Sequence, residues 1–180
     1  MFCKSTLTAA FLFVLTALGF VAPADAYADC NKIPPDVADY LRANSGWKIV
    51  QFSDLVSDDQ ALWNQYHRGQ CPGMTLVDFD GGGRKFHALA LLQRPNGKLL
   101  EKVVVFRLGK GQFEEHILSE AGPASRADVI YRVGPGKTHE WDGTKELFVP
   151  HDSLVYEHME SAARQYYYSR GKFRYVQTSD

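Results

Sequence analysis

The segment from Cys71 to Leu108 carries the strongest secondary-structure signal in the chain. Residues 86–92 are apolar at nearly every position, which is typical of a strand that is buried on both faces. The neighbouring runs, at 74–79 and 99–106, are rich in Val, Leu, Thr and Phe, which suit a pleated surface. Glycine-rich turns separate the three runs, and the second turn contains the hairpin pair Asn-Gly. The segment therefore predicts three consecutive strands.

Helical patterns precede this segment, and further strand patterns follow it. Residues 34–45 begin with two prolines, which suit a first helical turn, and repeat apolar residues at helical spacing. Residues 57–68 begin with a capping-box pattern. Near the C terminus, residues 162–168 and 173–178 form a hairpin pattern. We predict an α+β fold, in which two N-terminal helices pack on a mainly antiparallel β-sheet in a single domain.

The first 26 residues predict export from the cytoplasm. Lys4 precedes an apolar run, and Ala24-Asp25-Ala26 forms a small-residue cleavage site. The apolar run is short for a membrane span. We expect residues 1–26 to be a signal peptide and residues 27–180 to be the folded domain, which has no membrane span after processing. The expected location is periplasmic or secreted.

Cleavage at that site would remove Cys3 and leave two cysteines, Cys30 and Cys71. In an oxidising compartment, an isolated pair of cysteines favours a disulfide over two free thiols. The loop that this bond closes has about 40 residues, for which the chain-entropy model gives a stabilisation of roughly 4 kcal/mol. We predict that the bond forms.

The charge pattern argues against nucleic acid as a partner. The formal net charge is −1, and the chain has no basic tract and no acidic tail. Nucleic-acid-binding surfaces need clustered Lys and Arg, and this sequence has no such cluster. No cofactor-binding motif is complete, so we expect no cofactor.

The segment LVDFDGGGRKFHALALL, at Leu76–Leu92, contains two carboxylates at alternate positions of a glycine-rich loop. It resembles a single degenerate unit of the FG-GAP or VCBS-like type. The resemblance implies a loop that binds calcium, with Asp78 and Asp80 as the candidate ligands. The family's third acidic position is Gly82 here, and its last is Phe86. Because calcium prefers six to eight oxygen ligands, we predict a plain glycine-rich turn and keep these two carboxylates as weak metal candidates.

Histidine and carboxylate residues that follow one another closely suggest one possible catalytic site. His151 and Asp152 are adjacent, and His158 lies seven positions after His151. Such groups can act as general acids and bases. The sequence contains no nucleophile-elbow motif and no zinc-binding histidine spacing. An envelope hydrolase that uses these three residues is therefore one alternative hypothesis, a protein of purely structural role with a degenerate cation loop is another, and catalysis is left open.

Aromatic residues in the last hairpin suggest a contact surface. Tyr166, Tyr167 and Tyr168 are consecutive, so in a strand Tyr167 faces away from the other two. Exposed tyrosines often anchor interfaces, although cross-strand packing explains the same pattern. We expect a small exported binding protein with a protein or glycan partner in the cell envelope. An inhibitor or immunity protein for an envelope enzyme is one such protein.

Overall fold

The computed structural model describes residues 30–180. The proposed signal peptide, residues 1–26, lies outside them. The two α-helices of the described part are α1 (Pro35–Ala43) and α2 (Ser57–Tyr66). In chain order, the strands are β1 (Lys48–Ile49), β2 (Met74–Val77), β3 (Phe86–Gln93), β4 (Leu100–Gly109), β5 (Gln112–Pro123), β6 (Val129–Val133), β7 (Gly136–His139), β8 (Glu146–Val149), β9 (Ser153–Glu157), β10 (Ala163–Ser169) and β11 (Lys172–Ser179).

The predicted three-strand segment forms β2, β3 and β4 of an antiparallel sheet, sheet 1. Strand β3 pairs with β4 on one side and with both β1 and β2 on the other, and β5 pairs with the far side of β4. In the β3–β4 ladder, Ala88 lies opposite Val105 and Leu89 opposite Val104. All four residues are fully buried.

Sheet 1 is covered on both faces, which explains the unbroken apolar run of β3. On one face, Leu89 packs in a cluster with Val37 and Tyr40 of α1. The Tyr40 ring stacks on Phe106 of β4, with 4.3 Å between the ring centroids. On the other face, Ala88 belongs to a second cluster that includes residues of α2, β6 and β9.

The second face of sheet 1 packs against another antiparallel sheet, sheet 2, whose strand order is β11-β10-β9-β6. Strands β7 and β8 form a separate ladder. A hydrogen bond of 2.8 Å from the Trp141 backbone N–H to the Gln177 carbonyl connects the β7–β8 hairpin to β11. The described residues thus form three sheets, which corrects the expectation of one sheet. Each of the two larger sheets has an apolar face, and those faces bury each other.

The α+β class is confirmed, since two helices accompany mostly antiparallel sheets. The helices lie at residues 35–43 and 57–66 of the chain. Trp63 of α2 is 1% exposed and belongs to the core between the two sheets. Neither helix in residues 30–180 is long and apolar enough to cross a membrane.

The predicted disulfide between Cys30 and Cys71 is present, with 5.0 Å between the two Cα atoms. Both cysteines are buried in the cluster beside α1. The bond ties the beginning of the described chain to the segment that enters β2. Such a bond fits an oxidising, extracytoplasmic environment.

Candidate functional site

A polar cleft opens where the end of β5 meets β9 and β10 of sheet 2. Its volume is about 310 Å³, at the lower end of the range usual for small-molecule sites. We call it the Glu101 cleft. It is lined by Glu101, Ser119, Glu120, Gly122, Pro123, Ala124, Ser125, Arg126, Asp128, Tyr156, His158, Ala162 and Arg164.

Glu101 lies at the base of the cleft and is 4% exposed. It lies opposite Leu92 in the β3–β4 ladder, so its side chain points toward the core between the sheets. Burial, together with the negative charge of Asp128, raises the pKa of Glu101 to about 9. The group is therefore protonated at neutral pH. Its carboxyl oxygens lie 3.2 and 3.3 Å from the backbone nitrogen of Asp128, whose N–H donates to them.

Asp128, His158 and Arg126 form a hydrogen-bonded row beside Glu101. His158 Nδ1 lies 2.5 Å from Asp128 Oδ1, and Arg126 Nε donates to His158 Nε2 over 2.7 Å. Because Nε2 accepts this bond, the ring hydrogen is on Nδ1 and is donated to Asp128. Both ring nitrogens of His158 are thus occupied.

The row continues through Arg126 to helix α2. Arg126 donates a second hydrogen bond, of 2.7 Å, to the Met159 carbonyl, and its guanidinium lies 3.4 Å from Asp59. The Asp59 side chain is 1% exposed, and neither carboxylate oxygen accepts a hydrogen bond from the described residues. Arg126 is therefore the counter-ion of a buried charge. We call the chain of contacts Asp59, Arg126, His158, Asp128 and Glu101 the buried relay.

Tyr156 and Arg164 complete the chemistry of the cleft. They lie opposite each other in the β9–β10 ladder and therefore share one face of sheet 2. Burial is the main cause that raises the pKa of Tyr156, and the negative charges of Glu101 and Asp128 raise it further, so the hydroxyl stays a neutral donor. Arg164 is exposed and reaches over the Tyr175 ring, 5.5 Å from its centroid.

This geometry favours recognition over proton transfer by His158. A general base needs a free lone pair within reach of a substrate, and Arg126 occupies the one on Nε2. The polar groups of the buried relay are fixed by one another. All of them except Asp59 line the cleft and give it a wall of pre-ordered polar groups, which lowers the entropy cost of binding.

The structure does not bring the predicted His151, Asp152 and His158 together. His151 and Asp152 precede β9, whereas His158 follows it, and a strand of that length spans roughly 16 Å. Asp152 accepts a hydrogen bond from the Asp78 backbone N–H, and its carboxylate lies 3.3 Å from Arg132. The acidic partner of His158 is Asp128.

The carboxylates of the glycine-rich loop hold the turn itself. Asp80 accepts the Gly82 N–H over 2.9 Å, and Asp78 accepts the Gly83 N–H over 2.8 Å. The Gly82 N–H is the main cause that lowers the pKa of Asp80. Within residues 30–180, no three His, Cys, Asp or Glu side chains are grouped so that they could hold a metal ion. The family resemblance and the calcium binding that it implies stay untested, and Asp78 and Asp80 stay weak metal candidates.

The three predicted contact tyrosines are mostly covered. Tyr166 is 3% exposed and belongs to the core between the sheets, which corrects the expectation that it contacts a partner. Tyr168 is half-buried against the same core. Tyr167, on the other face, is half-buried and lines a small cavity with Leu147 of β8. The exposed tyrosine of this hairpin is Tyr175 on β11, at 58%.

Sequence reasoning identified His158 but missed the other cleft residues. Glu101 carried a usable signal, because it alternates with Leu99, Val103 and Val105 in an apolar strand and so occupies a buried position. Asp128 and Arg126 lie in the loop between β5 and β6 and carried no local signal. Only the fold brings them to Glu101.

Comparison of the chain with protein-family models, with curated proteins and with solved structures gave no match, so the function of the cleft has to be argued from its own residues.

Proposed function

We propose that this is an exported binding protein, periplasmic or secreted, that recognises a glycan of the cell envelope in the Glu101 cleft. The observation that carries the proposal is the cleft's wall of fixed donors and acceptors. Export is supported by the N-terminal sequence pattern and by the disulfide between Cys30 and Cys71. The partner class is supported by the chemistry of the cleft.

The charges of the cleft fit an uncharged, hydroxyl-rich ligand. The lining residues include two arginines, Arg126 and Arg164, and two carboxylates, Asp128 and Glu120, and Glu101 is neutral because its pKa is about 9. A cleft with balanced charge neither attracts nor repels ions strongly. Its donors and acceptors can pair with hydroxyl groups, which both donate and accept hydrogen bonds.

The test is a titration of the folded, processed protein with soluble oligosaccharides released from a bacterial envelope. Calorimetry measures the binding. We expect saturable binding that weakens about tenfold or more in Arg164→Ala, since arginine is enriched among residues that dominate binding energy. Arg174→Ala is the matched control, because Arg174 is also exposed but lies on β11 outside the cleft. Equal binding by the two variants would contradict the assignment of this cleft. Capture of an envelope enzyme without sugar binding would favour an inhibitor instead.

One observation supports an envelope hydrolase as the second candidate. Glu101 is protonated beside Asp128, whose charge helps to raise the Glu101 pKa. Glycosidases use a protonated carboxyl together with a second carboxyl as acid and base. If this candidate is correct, the wild type releases labelled fragments from the oligosaccharides, and Glu101→Gln binds them without cleavage. A wild type that binds without releasing fragments leaves the binding proposal in place.

A further inference from the structure

A second recess lies on the other side of the β9–β10 turn, between α2 and the edge strand β6. We call it the α2 groove. Its volume is about 540 Å³. The lining residues used in the argument below are Tyr66, His67, Tyr131, Glu157, Met159 and Glu160.

Aromatic rings form one wall of the α2 groove. His67 lies between Trp63 and Tyr131, with 4.4 Å between ring centroids on each side. Burial lowers the pKa of His67, so its ring is neutral at neutral pH. Tyr66 follows one helical turn after Trp63 and is 65% exposed. Trp63 and Tyr131 cover the two faces of His67, so the uncharged aromatic face open to a ligand is that of Tyr66, with the Tyr131 ring beside it.

Carboxylates form the opposite rim. Glu157 accepts a hydrogen bond of 2.9 Å from the Tyr131 hydroxyl, which fixes this carboxylate beside the rings. Glu160 is exposed in the β9–β10 turn. That turn is closed by a 2.9 Å hydrogen bond from the His158 N–H to the Ala162 carbonyl. The described residues that line the groove include no Lys or Arg.

We propose that the α2 groove binds a small organic cation of the quaternary ammonium class. Aromatic faces attract a weakly hydrated cation through their quadrupoles. The carboxylates of Glu157 and Glu160 supply complementary charge, and Met159 supplies apolar contact for the alkyl groups. An anion would meet two carboxylates without a compensating base. A neutral ligand would leave the two carboxylate charges of the rim uncompensated.

The inference goes beyond the proposed function, because the α2 groove and the Glu101 cleft share no lining residue. Loss of glycan binding would leave the cation site untouched. Loss of cation binding would leave the glycan proposal untouched.

The test compares choline with 3,3-dimethylbutan-1-ol, which has the same shape without the charge. Binding to the whole processed protein is followed by NMR shift titration. We expect saturable binding of choline and binding of the alcohol that is at least about tenfold weaker. Equal binding of the two would show a purely apolar recess, and no binding of either would remove the site; each result overturns the proposal.

Two variants locate the site. Tyr66→Ala and Glu160→Gln change exposed side chains, so both should fold, and each should weaken choline binding several-fold. Tyr175→Ala and Glu146→Gln are matched controls, since both residues are exposed and lie outside the groove. Choline binding that all four variants retain would overturn the assignment. A tri-lysine peptide that bound about tenfold more tightly than choline would overturn it too, because it would reassign the groove to a protein partner.

Discussion

The glycine-rich loop and the Glu101 cleft use carboxyl groups in opposite ways. In the loop, Asp80 is stabilised as a carboxylate by the Gly82 N–H, and its pKa is lowered. In the cleft, Glu101 is desolvated next to Asp128, and its pKa is raised to about 9. Asp80 carries the more recognisable sequence motif, whereas Glu101 has the more strongly perturbed chemistry. A motif reports which groups are near each other along the chain, but burial decides their protonation.

The largest expected effect is a loss of stability at the Arg126–Asp59 pair of the buried relay, compared with the Arg84–Asp80 pair of the glycine-rich loop. Arg126→Ala leaves Asp59 buried without its counter-ion, and removing one partner of such a pair typically costs about 3–5 kcal/mol. Arg84→Ala is the matched control, since the Arg84 side chain is 70% exposed and pairs with Asp80 at 3.4 Å. Exposed pairs contribute about 1 kcal/mol or less. Urea unfolding of both variants measures the difference. Similar losses for the two would show that the relay is no more than a surface network.

The second expected effect is the pH dependence caused by Glu101. Its pKa is raised from 4.5 to about 9, so between these values the folded state keeps a proton that the unfolded state has released. Its contribution to stability is complete below about 4.5 and is lost as the pH rises toward about 9. Glu101→Gln cannot ionise and should lose less stability over this range.

Between pH 5 and pH 9, the wild type should lose at least about 1 kcal/mol more of its unfolding free energy than Glu101→Gln loses. One unit of pKa shift corresponds to about 1.4 kcal/mol. Chemical unfolding at pH 5, 7 and 9 measures it. Glu120→Gln is the control, since Glu120 also lines the cleft but is exposed. If the Glu101 and Glu120 variants follow the same pH curve, Glu101 is not protonated in the folded state.

The smallest expected effect concerns the loop. Asp80→Asn weakens the bond to the Gly82 N–H, and a hydrogen bond of this kind contributes about 0.5–1.5 kcal/mol. Because the folded pKa of Asp80 is lowered, this contribution is present above its ordinary pKa of 3.8 and is lost as the pH falls below that value. Thermal unfolding at pH 7 and pH 3 should show a small difference between wild type and Asp80→Asn that shrinks at the lower pH.

Calcium provides the second measurement on the loop. A rise in the melting midpoint of the wild type in millimolar calcium, lost in Asp80→Asn, would show that the loop binds a cation. The loop would then be a metal site, and its carboxylates would do more than stabilise the turn, contrary to the comparison with the Glu101 cleft.

Local pattern determined much of the secondary structure. The central strands, both helices and the C-terminal hairpin were predicted near their observed positions. This is because apolar periodicity and turn residues act over a few neighbouring positions. The Cys30–Cys71 bond was also predicted, since removing the predicted signal peptide leaves one possible pair. The α+β class follows from these elements.

Only the tertiary structure decided which apolar faces meet and which polar groups converge. The strands form two packed sheets and a separate hairpin because pairing between distant strands depends on long-range packing. Strand β9 separates His158 from Asp152, which lies six positions earlier in the sequence, and places it beside Asp128, thirty positions earlier. The Glu101 cleft combines residues of β4, β5, β9, β10 and two loops. No local sequence pattern encodes this arrangement of residues in the cleft, because each segment is placed by the burial of its own apolar side chains.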